Sequence, residues 1–127
     1  MKKYLFFLMA VWLGPGCFSK IDDLPYNLLD DPNTALLEIQ SHTYTDGVLR
    51  FNFLSRYGEL SQIQRDRILR LVIFRNGEIR GSFTDFTRKT FVDQNLPAGN
   101  YRLCYVMKFE TKDGEYSRAS AEYCVDL

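Results

Sequence analysis

The most constraining feature of this 127-residue chain is a two-residue alternation of apolar and polar side chains near its C-terminus. From Tyr101 to Phe109 a large apolar side chain occupies every second position, and a similar alternation runs from Tyr116 to Val125, with Ala119 and Ala121 on its apolar side. Successive side chains of a strand point to opposite faces, so this period indicates strands with one buried face. Asp113-Gly114 between them is typical of a turn, and the pair predicts an antiparallel hairpin.

Shorter runs upstream have the same character. Val48 to Leu54 alternates, Ile68 to Phe74 is rich in branched residues and ends at the turn pair Asn76-Gly77, and Thr90 to Val92 is a further short strand. Gly58 to Arg67 predicts a loop with a turn of helix. Several short strands separated by turn signals favour an all-β fold, a single antiparallel β-sandwich, and the length allows one domain.

Two motifs resemble those of one known family. Leu96 to Tyr101 (LPAGNY), followed by Asp113-Gly114, is similar to the second half of a fibronectin type III domain, and Arg70 to Gly77 (RLVIFRNG) is similar to the middle strand and turn of bacterial members of that family. The resemblance covers Ala35 to Leu127. We therefore expect a fibronectin type III-like, immunoglobulin-like sandwich over residues 35–127.

The resemblance also implies roles for two aromatic residues. In the family, the tyrosine that matches Tyr101 bonds to backbone upstream of it and forms a corner. The second strand of the family usually carries a core tryptophan, and Phe53 is expected to take that place here. These motifs indicate a fold and no function, because this sandwich hosts many unrelated activities.

The N-terminus predicts export. Lys2 and Lys3 precede ten apolar residues from Tyr4 to Leu13, followed by Gly14-Pro15-Gly16-Cys17. This order is typical of a secretory signal, and the apolar run is shorter than the roughly 20 residues that a spanning helix needs. A cysteine directly after small residues resembles a bacterial lipoprotein signal peptide, which implies cleavage after residue 16 and lipidation of Cys17. The alternative is a secreted protein in which Cys17 is unmodified.

Residues 17–34 hold four aspartates and two prolines without clear periodicity, which predicts a lipidated N-terminus and a flexible acidic tether. The expected location is the bacterial cell envelope, lipid-anchored at the outer membrane through Cys17 and facing either the periplasm or the cell surface.

The cysteines predict a disulfide. With Cys17 lipidated, Cys104 and Cys124 are left as a pair in an oxidising compartment. In a hairpin centred on Gly114 they lie directly opposite one another, which favours a bond between them over two free thiols. The same register opposes two pairs of unlike charges, Arg102 with Asp126 and Glu110 with Arg118.

Candidate residues for chemistry are few. The single histidine, His42, cannot assemble a zinc site by itself, and we expect it in a solvated loop between the first two strands. The chain contains no GxSxG motif, phosphate-binding glycine loop or EF-hand loop. We therefore expect no catalytic residue, no metal and no cofactor. The formal net charge of zero argues against a nucleic-acid partner.

Charge is unevenly distributed along the chain. Residues 50–90 hold nine basic and four acidic side chains, and aromatic residues lie among the arginines. Arginine and aromatic side chains are enriched at the energetic centres of protein interfaces. The alternative is that the arginines are ordinary outward positions and the aromatics cover the edge of the core. The candidate partner-binding residues are Arg56, Tyr57, Arg65, Arg67, Arg80, Phe83, Phe86 and Arg88.

The sequence thus favours an envelope lipoprotein that acts as a non-catalytic binding or assembly module for an envelope protein or glycan. Two alternatives stay open. One is a small envelope hydrolase or an accessory of a carbohydrate-active enzyme, and the other is a purely structural spacer.

Overall fold

The computed structural model describes residues 29–31 and 33–127. The predicted signal peptide, residues 1–16, the predicted lipidation site Cys17 and most of the predicted tether lie outside the described residues. Within the described residues, no helix is long and apolar enough to cross a membrane.

The described part of the chain forms seven strands, with one short helical region after the second. A 3-10 turn (Tyr57–Glu59) and the helix α1 (Gln62–Arg67) occupy the segment in which a turn of helix was predicted. The strands are β1 (Leu37–Thr45), β2 (Val48–Ser55), β3 (Ile68–Arg75), β4 (Glu78–Phe83), β5 (Thr90–Asp93), β6 (Arg102–Thr111) and β7 (Tyr123–Asp126).

The strands form two antiparallel sheets that pack face to face. The three-stranded sheet has the order β1-β2-β5 and the four-stranded sheet the order β4-β3-β6-β7. The predicted all-β sandwich is confirmed. The β3–β4 connection at Asn76-Gly77 has positive φ at both residues, 51° and 84°, as a tight hairpin turn of matching twist requires.

Aromatic side chains fill the space between the sheets. Phe51 of β2 packs with its ring centroid 4.5 Å from that of Phe91 and 4.5 Å from that of Tyr105, which joins the two sheets at the centre of the core. Phe53, expected to replace the family's core tryptophan, is buried one alternate position further along β2. Burial of such apolar surface is the main favourable term in folding.

The sequence prediction for β6 is confirmed. Its buried positions are Leu103, Tyr105, Met107, Phe109 and Thr111, and the residues between them are half-buried. Tyr101 precedes the strand, and its hydroxyl donates a hydrogen bond to the carbonyl of Pro97, which is the upstream backbone bond that the resemblance implied.

The prediction of a long regular strand from Tyr116 to Val125 is wrong. β7 begins only at Tyr123, Ala119 is half-buried, and Ala121 is exposed. Ser120, an outward position in the predicted alternation, is buried, and so is Ser117, which the alternation did not assign.

Hydroxyl groups cause this departure. Ser117 Oγ accepts from the backbone N–H of Phe109 at 3.0 Å, and Ser120 Oγ accepts from that of Met107 at 2.9 Å. The N–H groups of both serines donate to the carbonyls of the same two β6 residues, each at 2.9 Å. Three residues of the C-terminal segment therefore span two residues of β6, which breaks the two-residue period.

The predicted disulfide is confirmed. Cys104 on β6 is bonded to Cys124 directly opposite on β7, and Arg102 lies opposite Asp126 as expected. The third expected pair is wrong, because the shifted segment places Tyr116, not Arg118, opposite Glu110.

The described residues of the predicted tether pack against the sandwich. Leu29 is 2% exposed and belongs to the core cluster. Asp30 pairs with Arg67 at the end of α1, with 2.9 Å between the charged atoms. The aspartates, the prolines and the missing periodicity predicted a flexible tether, but the burial of Leu29 and the pairing of Asp30 hold this segment on the sandwich.

Candidate binding surface

One end of the sandwich gathers most of the predicted partner-binding residues. It is formed by the end of β2, the 3-10 turn, α1, the end of β4 and the loop 84–89. Three half-buried aromatic residues of this end, Tyr57, Phe83 and Phe86, are called here the end cluster. Tyr57 and Phe86 are stacked with centroids 4.7 Å apart, and both contact Phe109 of the core. Their inner edges therefore belong to the core, as the alternative interpretation expected.

Two arginines cover the outer side of the end cluster. The Arg65 guanidinium lies 5.6 Å from the ring centroid of Tyr57, and that of Arg88 lies 4.6 Å from the centroid of Phe83. Both distances suit a cation–π contact. Arg65 also donates from Nη2 to the carbonyl of Gly58 at 2.8 Å.

The start of α1 positions Arg65. Ser61 caps the helix by accepting from the N–H of Gln64, and the Gln64 side chain accepts in return from the N–H of Ser61 at 2.9 Å. This reciprocal cap fixes where the helix begins. Arg65 follows one residue after Gln64 and faces back toward the 3-10 turn.

Two further candidates lie at this end but are neutralised by carboxylates. Arg56 donates to both carboxylate oxygens of Glu59 at 2.8 Å, and this hydrogen bonding lowers the pKa of Glu59. Arg67 donates to both oxygens of Asp30 at 2.9 and 3.2 Å, which raises the pKa of Arg67. These two arginines fasten neighbouring segments together.

Arg80 is not brought to this end of the sandwich. It is the extra residue of a β-bulge, because Ile79 lies opposite Phe74 while Gly81 lies opposite Ile73. A bulge re-aims a side chain, and here Arg80 Nε donates to the Asp93 carboxylate at 2.6 Å. A binding role for Arg80 on the surface predicted from the sequence is therefore not supported by its position.

Asp93 is the centre of a buried charge network that sequence reasoning missed. The residue is 2% exposed, and its carboxylate accepts from Arg75 at 2.9 Å, from Arg80 at 2.6 Å and from the Tyr105 hydroxyl at 2.5 Å. Asp93 ends β5 of the three-stranded sheet, whereas its three donors belong to the four-stranded sheet. These four residues, called here the Asp93 network, fasten the two sheets together.

The network shifts the pKa values of its members. Burial raises the pKa of the Asp93 carboxyl, but hydrogen bonds from Tyr105, Arg80 and Arg75 outweigh it, and the net pKa lies below the ordinary value. Burial and the neighbouring carboxylate raise the pKa of the Tyr105 hydroxyl far above its ordinary value. Asp93 is therefore ionised and Tyr105 neutral at physiological pH.

A groove of about 480 Å³ opens beside the end cluster. It lies where the chain entering β5 separates from β2, and the last backbone bond before the separation runs from the Phe53 N–H to the Lys89 carbonyl at 2.9 Å. Asp85 shapes the loop, since its carboxylate accepts from the N–H and the hydroxyl of Thr87. The groove is lined by Gln40, Asn52, Phe53, Leu54, Ser55, Phe86, Thr87, Arg88 and Lys89.

Sequence reasoning found Phe86 and Arg88 but missed the polar lining from β1 and β2. Asn52 and Leu54 alternate with the buried residues of β2 and so face outward, which the sequence does show. Their position beside the loop 84–89 depends on the pairing of β2 with β5, which the sequence does not specify.

His42 lies on β1 and not in the predicted loop. It is exposed opposite Phe51, and its Nδ1 lies 2.8 Å from the hydroxyl of Tyr123. Among the described residues, the one close group of potential metal ligands is Glu122 with Cys104 and Cys124, and the disulfide occupies both sulfurs.

No protein-family model and no curated protein matches the chain. Solved structures share its fold. It is similar to part of the family 28 exopolygalacturonase of Yersinia enterocolitica, with 15% identity and a TM-score of 0.51 over 74% of this chain and 20% of that one. It is also similar to part of the spore cortex lytic enzyme SleM of Clostridium perfringens, with 15% identity and a TM-score of 0.50 over 71% of this chain and 27% of that one. The chain thus matches about a quarter or less of each enzyme's length.

Proposed function

We propose that this chain is a lipid-anchored protein of the bacterial cell envelope. In this proposal residues 1–16 are a signal peptide, Cys17 carries the lipid at the outer membrane, and a fibronectin type III-like domain acts as a non-catalytic binding or assembly module. Its partner is an envelope protein or glycan. The three-plus-four strand arrangement and the hydrogen bond of Tyr101 to upstream backbone support the family resemblance.

The observation that carries the binding role is the end cluster with its two arginines. Arg65 and Arg88 form no ion pair within the described residues, and each lies over an aromatic ring. Arginine and aromatic side chains at a half-exposed site are what interface hot spots use. The adjoining groove extends the surface beyond the cluster.

The position of Leu29 limits how far a lipid anchor on Cys17 lets the domain move. Twelve residue steps separate Cys17 from Leu29, so a fully extended chain reaches at most about 40 Å. Asp30 is bonded to α1 at the end that carries the end cluster. An anchored domain would therefore hold this surface within reach of ligands near the membrane.

Charge reversal at the two unpaired arginines tests the binding role. We expect the double variant Arg65→Glu and Arg88→Glu to lose the partner that the wild-type chain captures from crosslinked envelopes, as measured by affinity purification and mass spectrometry. The control carries the same charge changes at Lys112 and Arg102, which are exposed and lie outside the cluster and the groove. Arg67 and Arg80 are left intact because they hold the fold. Equal capture by both folded variants would contradict the proposal.

Intact mass of the protein isolated from envelopes tests the anchor separately. A mass equal to residues 17–127 plus acyl chains is expected, and an unmodified Cys17 would contradict the anchor.

A further inference from the structure

We propose that the groove binds an acidic oligosaccharide, a short sugar chain bearing carboxylate groups. This inference deepens the proposed binding function and rests on it. Three properties of the groove support it, namely its polar lining, its apolar floor and its unpaired positive charge.

The polar lining offers side-chain groups that match sugar hydroxyls. Asn52 donates from Nδ2 to Ser41 Oγ at 3.1 Å, which fixes the orientation of its amide on the outer face of the sheet. Gln40 is the extra residue of a bulge in β1, between the paired residues Ile39 and Ser41, and it adds a second amide. Amides and the hydroxyl of Thr87 both donate and accept hydrogen bonds, as hydroxyl-rich ligands require.

The apolar floor offers a surface for the faces of sugar rings. Leu54 is 48% exposed although it lies in the middle strand of its sheet, and Phe86, a member of the end cluster, forms one side of the groove. A volume of about 480 Å³ lies within the range of small-molecule sites, roughly 300–1,000 Å³. The groove therefore fits a ligand of a few sugar rings.

Positive charge at the groove selects an anionic sugar over a neutral one. Lys89 and Arg88 line it, and Arg50 precedes Asn52 by one alternate position on the same face of β2. None of these three forms an ion pair within the described residues. Two acids oppose this charge, namely Glu38, paired across the strands with Leu54, and Asp85, whose carboxylate is bonded to Thr87 and attracted to Arg88. The excess of basic over acidic side chains at the groove favours a ligand that carries carboxylates.

Strand order favours a sugar over an acidic peptide. Peptides commonly bind sheets by adding a strand at an open edge, where main-chain bonds supply affinity. The groove lies over β2, the middle strand, whose backbone is bonded to β1 on one side and, as far as Phe53, to β5 and Lys89 on the other. Only Leu54 and Ser55 are open toward the groove, which is too short a stretch for an added strand. What the groove offers a ligand is therefore side-chain chemistry on a sheet face.

The test is calorimetric titration of the purified full chain with an alginate tetrasaccharide, which carries one carboxylate per ring. Mannotetraose is the neutral control and poly-L-glutamate the acidic peptide control. We expect alginate to bind and the other two ligands not to bind. The affinity for alginate should fall as the salt concentration rises. Lys89→Glu is expected to weaken binding about tenfold or more and Asn52→Ala about fivefold. Lys112→Glu, the matched charge reversal outside the groove, is expected to leave the affinity unchanged.

Several outcomes would overturn the inference. The first three are the absence of alginate binding, equal binding of mannotetraose, and a loss of alginate affinity in the folded Lys112→Glu variant equal to that in Lys89→Glu. The fourth is tighter binding of poly-L-glutamate that Lys89→Glu abolishes. That result would assign the groove to an acidic peptide. Circular dichroism shows whether each variant is folded. If alginate fails while crosslinked capture still depends on Arg65 and Arg88, this inference alone falls and the proposed binding function stands.

Discussion

Arginines of one charge-rich stretch of sequence serve opposite purposes at the two ends of this sandwich. Arg75 and Arg80 donate to the buried carboxylate of Asp93 and join the sheets. Arg65 and Arg88 lie over half-exposed rings and form no ion pair within the described residues, although Arg88 attracts the nearby Asp85 carboxylate. The first pair is committed to the fold, whereas the second is the pair that we propose contacts a ligand. Residue type alone cannot separate the two roles, because the difference is made by burial and by the partner that each guanidinium finds.

Removal of the Asp93 carboxylate should have the largest effect on stability. Asp93→Ala leaves the buried Tyr105 hydroxyl and the two partly exposed arginines of the Asp93 network without their shared acceptor. Breaking a fully buried pair costs about 3–5 kcal/mol, and we expect the lower end of that range because both arginines keep contact with water. The free energy of unfolding, measured by urea titration, is expected to fall by that amount. Asp126→Ala is the matched control, since its side chain is 77% exposed and lies 3.9 Å from Arg102, and we expect a change below about 1 kcal/mol. Similar losses in the two variants would show that the Asp93 network does not hold the sheets together.

Acid should destabilise the fold by protonating the Asp93 carboxyl, with a smaller effect than the substitution Asp93→Ala. The pKa of Asp93 is lower in the folded chain than its ordinary value near 3.9, so the unfolded chain binds this proton first as pH falls. The stability that Asp93 contributes is therefore fully present above about pH 4 and is lost as pH falls through the folded pKa.

Urea midpoints between pH 7 and pH 2.5 measure this loss. Arg80→Gln retains Arg75 and Tyr105 but weakens the support of the carboxylate, so its midpoint should fall less steeply in the acid range than that of the wild type. Parallel curves would mean that the acid dependence comes from other carboxyls.

The parts of the fold that repeat a local pattern could be predicted from the sequence. β6 alternates strictly because every second side chain meets the opposite sheet, and the cysteine pair follows once β6 and β7 are paired. The segment before β7 could not be predicted, because Ser117 and Ser120 bond through their hydroxyls to β6 and replace apolar burial with hydrogen bonding. Composition likewise cannot show that Leu29, in an acidic stretch with a neighbouring proline, lies in the core.

The candidate site was predictable only in part, for a related reason. Local sequence placed aromatic and arginine residues near one another, and this identified the end cluster. The bulge that turns Arg80 toward Asp93 and the strand pairing that brings Asn52 beside Lys89 are consequences of register between distant segments. A one-residue change in such a pairing moves a side chain to the opposite face, so no local pattern determines these positions.

The smallest change in stability is expected at the end of the sandwich that carries the end cluster. Arg88→Ala removes a guanidinium from the face of Phe83 but leaves no buried charge unpaired, and an exposed cation–π contact contributes about 0.5–1 kcal/mol. We therefore expect the urea midpoint to change little while capture of the partner falls sharply. A loss of stability approaching that of Asp93→Ala, without loss of the partner, would mean that Arg88 also serves the fold. In that case both ends of the sandwich would use arginine in the same way, and the surface that contacts a ligand would have to be sought elsewhere on the domain.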